Sequence, residues 1–320
     1  MTLGLFPVFA LLTYHLLAPE IGDITAYGTC ENLERSVTLQ SAGEHSNAVE
    51  ALLSAALMHG KRTCAGLVLT SLAAAASIKE RMTEAEAYAE RSIKILELDH
   101  ATSDPILLRP LQILWAVSLE QRKLAKARRV YQKMLQIRAE RPEDRAYIHL
   151  TAALLFQDEG KLKEAESELL AAIRAWEETG RTISADYASL LHDLGALYIE
   201  QQRYAEARSP LERAWEIDQK AKDAATMDRI KLLETRAILD ARNHEWREAA
   251  EKLRQALTMI SRETRADPIT LRSILISYAI VLRKGHRRHE ARSVEQQVAA
   301  LRDYPAANAL VDATELLRKR

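Results

Sequence analysis

The chain has 320 residues with 45 basic and 45 acidic side chains, so no net field recruits nucleic acid or an anionic membrane. Ten glycines and eight prolines are few for this length, as an all-helical chain requires. The length suggests about two globular domains, a bound that does not apply to a solenoid, where each unit contacts only its neighbours.

The chain begins with an apolar run, residues 3–18, whose only basic side chain is the weakly basic His15. It is shorter than the roughly 20 residues that span a membrane, and it fits the core of a secretory signal with Ile24-Thr25-Ala26 as cleavage site. No Lys or Arg precedes the run and Pro7 interrupts it, so an uncleaved anchor or a packed N-terminal helix also stands open. Residues 1–26 are therefore expected to be a signal peptide or an apolar helix. Export to the periplasm or beyond is favoured, with the cytoplasm as the alternative. Membrane contact is expected only through an uncleaved leader. Tyr27-Gly28-Thr29 before Cys30 is no lipoprotein signature.

Residues 27–305 repeat one unit. The clearest copy, residues 190–219, reads as two antiparallel helices joined by a tight turn. Leu191, Leu194, Leu197 and Tyr198 recur at helical spacing, as do Tyr204, Ala207, Leu211, Ala214 and Trp215. Gly195 leaves room for a close helix approach. Steps of 42 residues from Ala207 reach Ala249, Ala291 and, backwards, Ala165; Ala127, Ala85 and Ala48 follow at 38, 42 and 37. A large side chain stands three residues before the four central alanines: Leu124, Leu162, Tyr204 and Trp246. Such periods signal a repeat architecture. Asp104-Pro105, Asp267-Pro268, Pro142, Ser184 and Asp228 read as helix starts, and Gly160 and Gly285 as tight turns. Residues 306–320 carry Leu310, Val311, Leu316 and Leu317 and are expected to form a C-terminal capping helix.

Leu194-Gly195 with Leu197-Tyr198, followed by Tyr204 and Glu206-Ala207, resembles the tetratricopeptide repeat. The 42-residue step and Pro210 resemble the longer-helix variety seen in kinesin light chains. The resemblance covers roughly residues 30–303. It implies an all-α, right-handed α-α superhelix of about seven helical hairpins. The sixth and seventh repeats depart from the motif, with Arg236 and Asp240, and Tyr278 and Leu282, in place of the Leu194/Tyr198 pair.

The resemblance further implies that the first helix of each pair lines a concave face. The inward positions are then Ala74, Ala116, Leu154, Ala196, Ile238 and Ile280, with Ile199 nearby. One turn earlier come Thr70, Gln112, Leu150, His192, Glu234 and Ile276, and nearer the helix starts Arg109, Tyr147, Ser189, Lys231 and Arg272. An aliphatic groove with basic residues towards one edge suits a peptide or helical segment with apolar anchors and acidic side chains. Small aliphatics there also let a tight superhelix close with no ligand. The matching positions carry no asparagine, which disfavours the clamp by which chaperone-binding members hold a C-terminal carboxylate. Cys30 and Cys64 fall near the starts of adjacent first helices. A bridge between them would staple the N-terminal repeat; two independent thiols remain the other reading.

No phosphate-binding, zinc-protease or hydrolase-elbow motif occurs. His286 and His289 stand among arginines and read as a solvated turn, so no metal or cofactor is expected. Arg236 and Asp240, at i,i+4, are expected to pair with each other. The basic second helix of repeat three (Lys123, Lys126, Arg128, Arg129, Lys133) is expected to face acidic repeat four (Asp158, Glu159, Glu164, Glu166, Glu168). No aromatic residues alternate with these cations, which argues against a nucleic-acid stripe. The reading is a non-enzymatic protein-binding scaffold; the alternative is a self-associating assembly protein with no peptide ligand.

Overall fold

The computed structural model describes Leu53, Leu57, Met58 and residues 60–78, 81–222, 224–261 and 268–300. The leader, Cys30, Ala48, Asp267 and the expected capping helix lie outside the described residues.

Those residues form twelve α-helices and one short 3-10 turn, with no strand among them. They fall into two units divided between residues 155 and 156. The first holds α1 (Arg62–Ile78), α2 (Met82–Leu96), the turn Pro105–Leu107, α3 (Leu108–Glu120), α4 (Leu124–Met134) and most of α5 (Pro142–Asp158). The second holds α6 (Leu162–Glu177), α7 (Ala185–Glu200), α8 (Tyr204–Asp218), α9 (Thr226–Arg242), α10 (Trp246–Ile260), α11 (Pro268–Lys284) and α12 (Arg288–Ala300). Within each unit contacts run between successive helices; the longer steps, α1 to α3 and α7 to α9, join neighbouring first helices. This nearest-neighbour pattern defines a solenoid of hairpins.

One alanine recurs in the same place throughout. Ala85, Ala127, Ala165, Ala207, Ala249 and Ala291 are each the fourth residue of a second helix, and each is at most 1 % exposed. Its amide donates to the residue preceding the helix: Ala207 N to Arg203 O at 3.1 Å, Ala249 N to Glu245 O at 3.0 Å. That preceding residue keeps one conformation, with φ near −85° and ψ near 62°, at Lys123 (−84°, 59°), Lys161 (−87°, 67°), Arg203 (−90°, 62°) and Glu245 (−82°, 64°).

The turn between paired helices is a Schellman motif, repeated five times. Its 6→1 bond runs from Lys123 N to Ser118 O, Lys161 N to Phe156 O and Arg203 N to Tyr198 O, at 2.8 Å each, and recurs at Glu245 and Arg287. The left-handed residue is Arg122, Gly160, Gln202, His244 or His286, with φ between 58° and 74°. Gly160 thus acts as expected. In the last hairpin the strained position falls on His286, not Gly285; Gly285 instead makes room, since a Cβ there would come within 3.1 Å of Trp246 Cβ.

Helix starts follow the sequence in part. Asp104 accepts from Ile106 N at 2.9 Å, and Ser184 accepts from Tyr187 N at 3.3 Å. Asp228 is no cap: α9 begins two residues earlier, after Ala225, and Asp228 lies buried in its first turn. A carboxylate there still complements the helix dipole.

Gly195 does permit a close approach. A Cβ built on it would meet Leu211 Cδ2 of α8 at 2.6 Å, and Cγ closer still; Ala237 and Ala279, 42 and 84 residues on, keep this position small and buried. Gly195→Val should therefore lower unfolding stability by about 2–3 kcal/mol, because an overpacked core must displace Leu211. Gln202→Gly should act in the opposite direction, by about 0.5–1 kcal/mol, since an exposed non-glycine residue at φ 62° carries the left-handed penalty. Urea unfolding of the two variants beside the wild type checks both signs.

Candidate interaction surface

The face built from the first helices differs between the units. In the first, most of the expected inward side chains are packed away. Thr70 Oγ1 donates to Gly66 O at 3.0 Å and meets Ser92 Oγ at 2.8 Å. Ala74, Gln112, Ala116, Leu150 and Leu154 are buried, and Arg109 and Tyr147 are half-buried.

In the second unit more of the face reaches solvent. Ser189, Ala196 and Ile199 on α7, Glu234 and Ile238 on α9, and Arg272, Ile276 and Ile280 on α11 are all half-buried. Ala196, Ile238 and Ile280 stand one repeat apart, so they form an aliphatic row across three neighbouring helices. His192 and Lys231 are buried beneath it, 3 % and 5 % exposed.

A polar seam runs alongside that row. His192 Nε2 lies 2.8 Å from Thr235 Oγ1 of α9, and its Nδ1 lies 3.2 Å from Asp193 Oδ1. Ser273 Oγ of α11 donates to Glu234 Oε1 at 3.2 Å. Burial pushes the Asp193 carboxyl above its ordinary range, against the hydrogen bond from His192 and the nearby charge of Lys231. Adjacent first helices thus satisfy one another's polar groups, which fixes their register and holds the aliphatic row in place.

The outer surface carries a second recurring contact, which spacing alone did not reveal. At three hairpins the residue preceding the second helix pairs with the fifth residue of the previous second helix. Lys123 Nζ meets Glu86 Oε2 at 2.7 Å, Arg203 meets Glu166 Oε2 at 2.5 Å, and Arg208 meets Glu245 Oε1 at 2.8 Å with polarity reversed. Lys126 bonds Glu86 and Glu90, and Lys133 meets Glu97 at 2.8 Å. Lys123, Lys126 and Lys133 of repeat three thus pair with the preceding repeat, a contact that the charge blocks did not suggest. Their sequence signal is an opposite-charge pair 37 residues apart.

Asp240 and Arg236 also part company. Asp240 accepts from Lys252 of α10, while the Arg236 guanidinium lies 4.9 Å from the Trp215 ring centre. Helix α10 supplies an ammonium that reaches the buried carboxylate, and the aromatic face of α8 takes the guanidinium. Burial raises the Asp240 carboxyl, opposed by Lys252.

Cys64 is disulfide-bonded and 5 % exposed; the chain's one other cysteine, Cys30, lies outside the described residues. His286 and His289 are exposed. Among the described residues no group of three His, Cys, Asp or Glu side chains is arranged to hold a metal, and no helix is long and apolar enough to cross a membrane.

Residues 144–220, which include α7, α8 and the Arg203 rung, match the family model described as tetratricopeptide repeat. No curated protein matches the chain. Solved structures share the fold at low identity. BtubC (BKLC) from P. vanneervenii is 17 % identical with a TM-score of 0.58, over 69 % of this chain and 91 % of that one. The apo form of RapI is 14 % identical with a TM-score of 0.56, over 92 % and 96 %. A Rap protein complexed with competence and sporulation factor is 12 % identical with a TM-score of 0.53, over 93 % and 89 %. This chain is a tetratricopeptide-like all-α solenoid of helical hairpins.

The rungs between second helices make stability depend on acid pH. Burial works against the Glu86 and Glu166 carboxylates, yet bonds from Lys123 and Lys126, and from Arg203 and Gln201, hold both below the ordinary carboxylate range. A lowered folded-state value contributes stability that is present above the unfolded value, about 4.3, and lost as pH falls through the folded one. The Glu86→Gln/Glu166→Gln variant should lose stability at neutral pH by about 1 kcal/mol or less per site. It should then lose less than the wild type between about pH 5 and pH 3, as read by thermal unfolding across that range.

Proposed function

We propose that this chain is a non-enzymatic scaffold that binds a peptide or helical segment of a protein partner on the first-helix face of residues 156–300. The observation that carries this reading is the half-buried aliphatic row Ala196, Ile238 and Ile280, with Ile276 beside it, mounted on helices that the His192–Thr235 and Glu234–Ser273 contacts hold in register. Aliphatic side chains left partly open on a rigid face offer anchor points for apolar residues of a partner. The Rap protein crystallised with competence and sporulation factor, a protein of this fold, supports the reading by analogy.

A photo-crosslinking amino acid at Ile238 or Ile280 should capture one defined partner in the native host. The same group at Thr258, on the exposed side of α10, should not. Ile276→Glu should abolish the Ile238 crosslink while leaving the helical circular dichroism unchanged. Equal capture at Thr258, or a crosslink indifferent to Ile276→Glu, would overturn the proposal.

We also propose that the protein works in an oxidising compartment, as an exported protein does; the disulfide at Cys64 supports this. Intact mass of protein from the native host should rise by two hydrogens on reduction, and the mature chain should begin near Tyr27. A full-length chain with free thiols would overturn both points.

A further inference from the structure

The tip of the last described hairpin carries a cluster of cations. Between Arg283 and Arg292 stand five Arg or Lys side chains and two histidines against one carboxylate, Glu290. Two of the cations are spoken for: Arg283 pairs with Glu295, and Arg287 with Glu290 at 2.6 Å. Lys284, Arg288 and Arg292 are exposed and have no ion pair among the described residues.

These three are mounted rigidly. Lys284 ends α11, and Arg288 and Arg292 stand one turn apart on α12. The connection is a Schellman turn, with Arg287 N bonded to Leu282 O at 2.9 Å, and Gly285 packs it against Trp246.

The rung pattern says what Arg292 would accept. It is the fifth residue of its second helix, the place that Arg208 holds two repeats earlier, and Arg208 takes a carboxylate from the next repeat at 2.8 Å. Residues beyond 300 lie outside the described residues. A guanidinium at this place on α8 pairs with a carboxylate, and Arg292 suits the same group.

We propose that this tip docks an acidic segment of a protein partner, whose carboxylates pair with Lys284, Arg288 and Arg292. The chain's net charge of zero means that attraction is local and needs a matched surface, not a long polyanion. No aromatic side chain stands between residues 283 and 292 to stack on bases. Glu290 and Glu295 interrupt the positive field that an anionic bilayer would require. Lys284 stands one turn beyond Ile280 on α11, whereas Arg288 and Arg292 stand on α12, so the face variant Ile238→Glu distinguishes failure of this proposal from failure of the other.

The test uses the full chain and a labelled, alanine-rich helical peptide with Glu at every fourth residue, read by fluorescence anisotropy. The wild type should bind it, and binding should weaken as salt rises. Replacing the peptide's Glu by Gln should abolish binding. Lys284→Glu/Arg288→Glu/Arg292→Glu should weaken it by about tenfold or more. A control that reverses three exposed cations elsewhere, Lys163→Glu/Arg174→Glu/Lys220→Glu, and the face variant Ile238→Glu should bind as the wild type does. Equal binding by the tip variant and the control would overturn the proposal. So would a loss seen only with phosphatidylserine vesicles or duplex DNA, which would assign the tip to a membrane or a nucleic acid. A concentration-dependent mass that the tip variant abolishes would assign it to a second copy of this chain.

Discussion

Everything described here depends on how closely two helices of a hairpin approach at one buried alanine. A methyl group at the fourth position of each second helix leaves no space for a larger side chain, as its burial from Ala85 to Ala291 shows. The Schellman turn delivers the second helix to that contact in one geometry, and the residue before the helix adopts nearly the same dihedrals each time. Short range and long range agree: the turn fixes the entry angle, and the alanine rewards only that angle. Four of the five turns meet this demand without glycine, accepting a left-handed Arg, Gln or His. The packing must outweigh that local cost.

Once hairpins are fixed, stacking needs a register, and polar contacts supply it on both sides. On the first-helix side, His192 reaches Thr235 and Ser273 reaches Glu234. On the outer side, rungs such as Arg203–Glu166 join consecutive second helices. An exposed ion pair contributes little energy. A misregistered stack would nevertheless leave the His192 and Asp193 polar groups buried without partners, a costlier error. Apolar burial thus drives association, and the polar contacts select which association occurs.

The hairpin was legible in the sequence because its determinants are local or strictly periodic. Ala207 and its equivalents marked the second helices, Leu191, Leu194 and Leu197 marked the buried stripe of a first helix, and Asp104 and Ser184 marked helix starts. What depends on neighbours was not legible. Arg236 and Asp240 sit at helical spacing, yet a lysine from α10 takes the carboxylate and a tryptophan from α8 takes the guanidinium. Blocks of like charge suggested that repeat three faces repeat four, whereas Lys123, Lys126 and Lys133 reach back to α2. Asp228 looked like a cap because caps are acidic, but the first turn of a helix favours carboxylates for the same electrostatic reason. The inward positions came from the family frame. That frame gives direction but not depth, so it did not separate Leu154, packed away, from Ile238, still partly open.

The same rule that builds the array determines where it is free to act. Second helices within a unit offer outer positions to the next repeat, and pairing consumes some of them, as Glu166 and Arg208 show. Side chains become available only where the pattern leaves a position unmatched. On the first-helix face that happens where aliphatic residues replace the hydrogen-bonding ones, giving the row from Ala196 to Ile280. On the outer face it happens at α12, where Arg292 holds the same place as Arg208 and is exposed, with no ion pair among the described residues. The two surfaces have different chemistry because they arise from different interruptions. One exposes apolar surface that favours burial with little directional preference. The other exposes fixed charge that favours a partner of opposite sign and is weakened by salt.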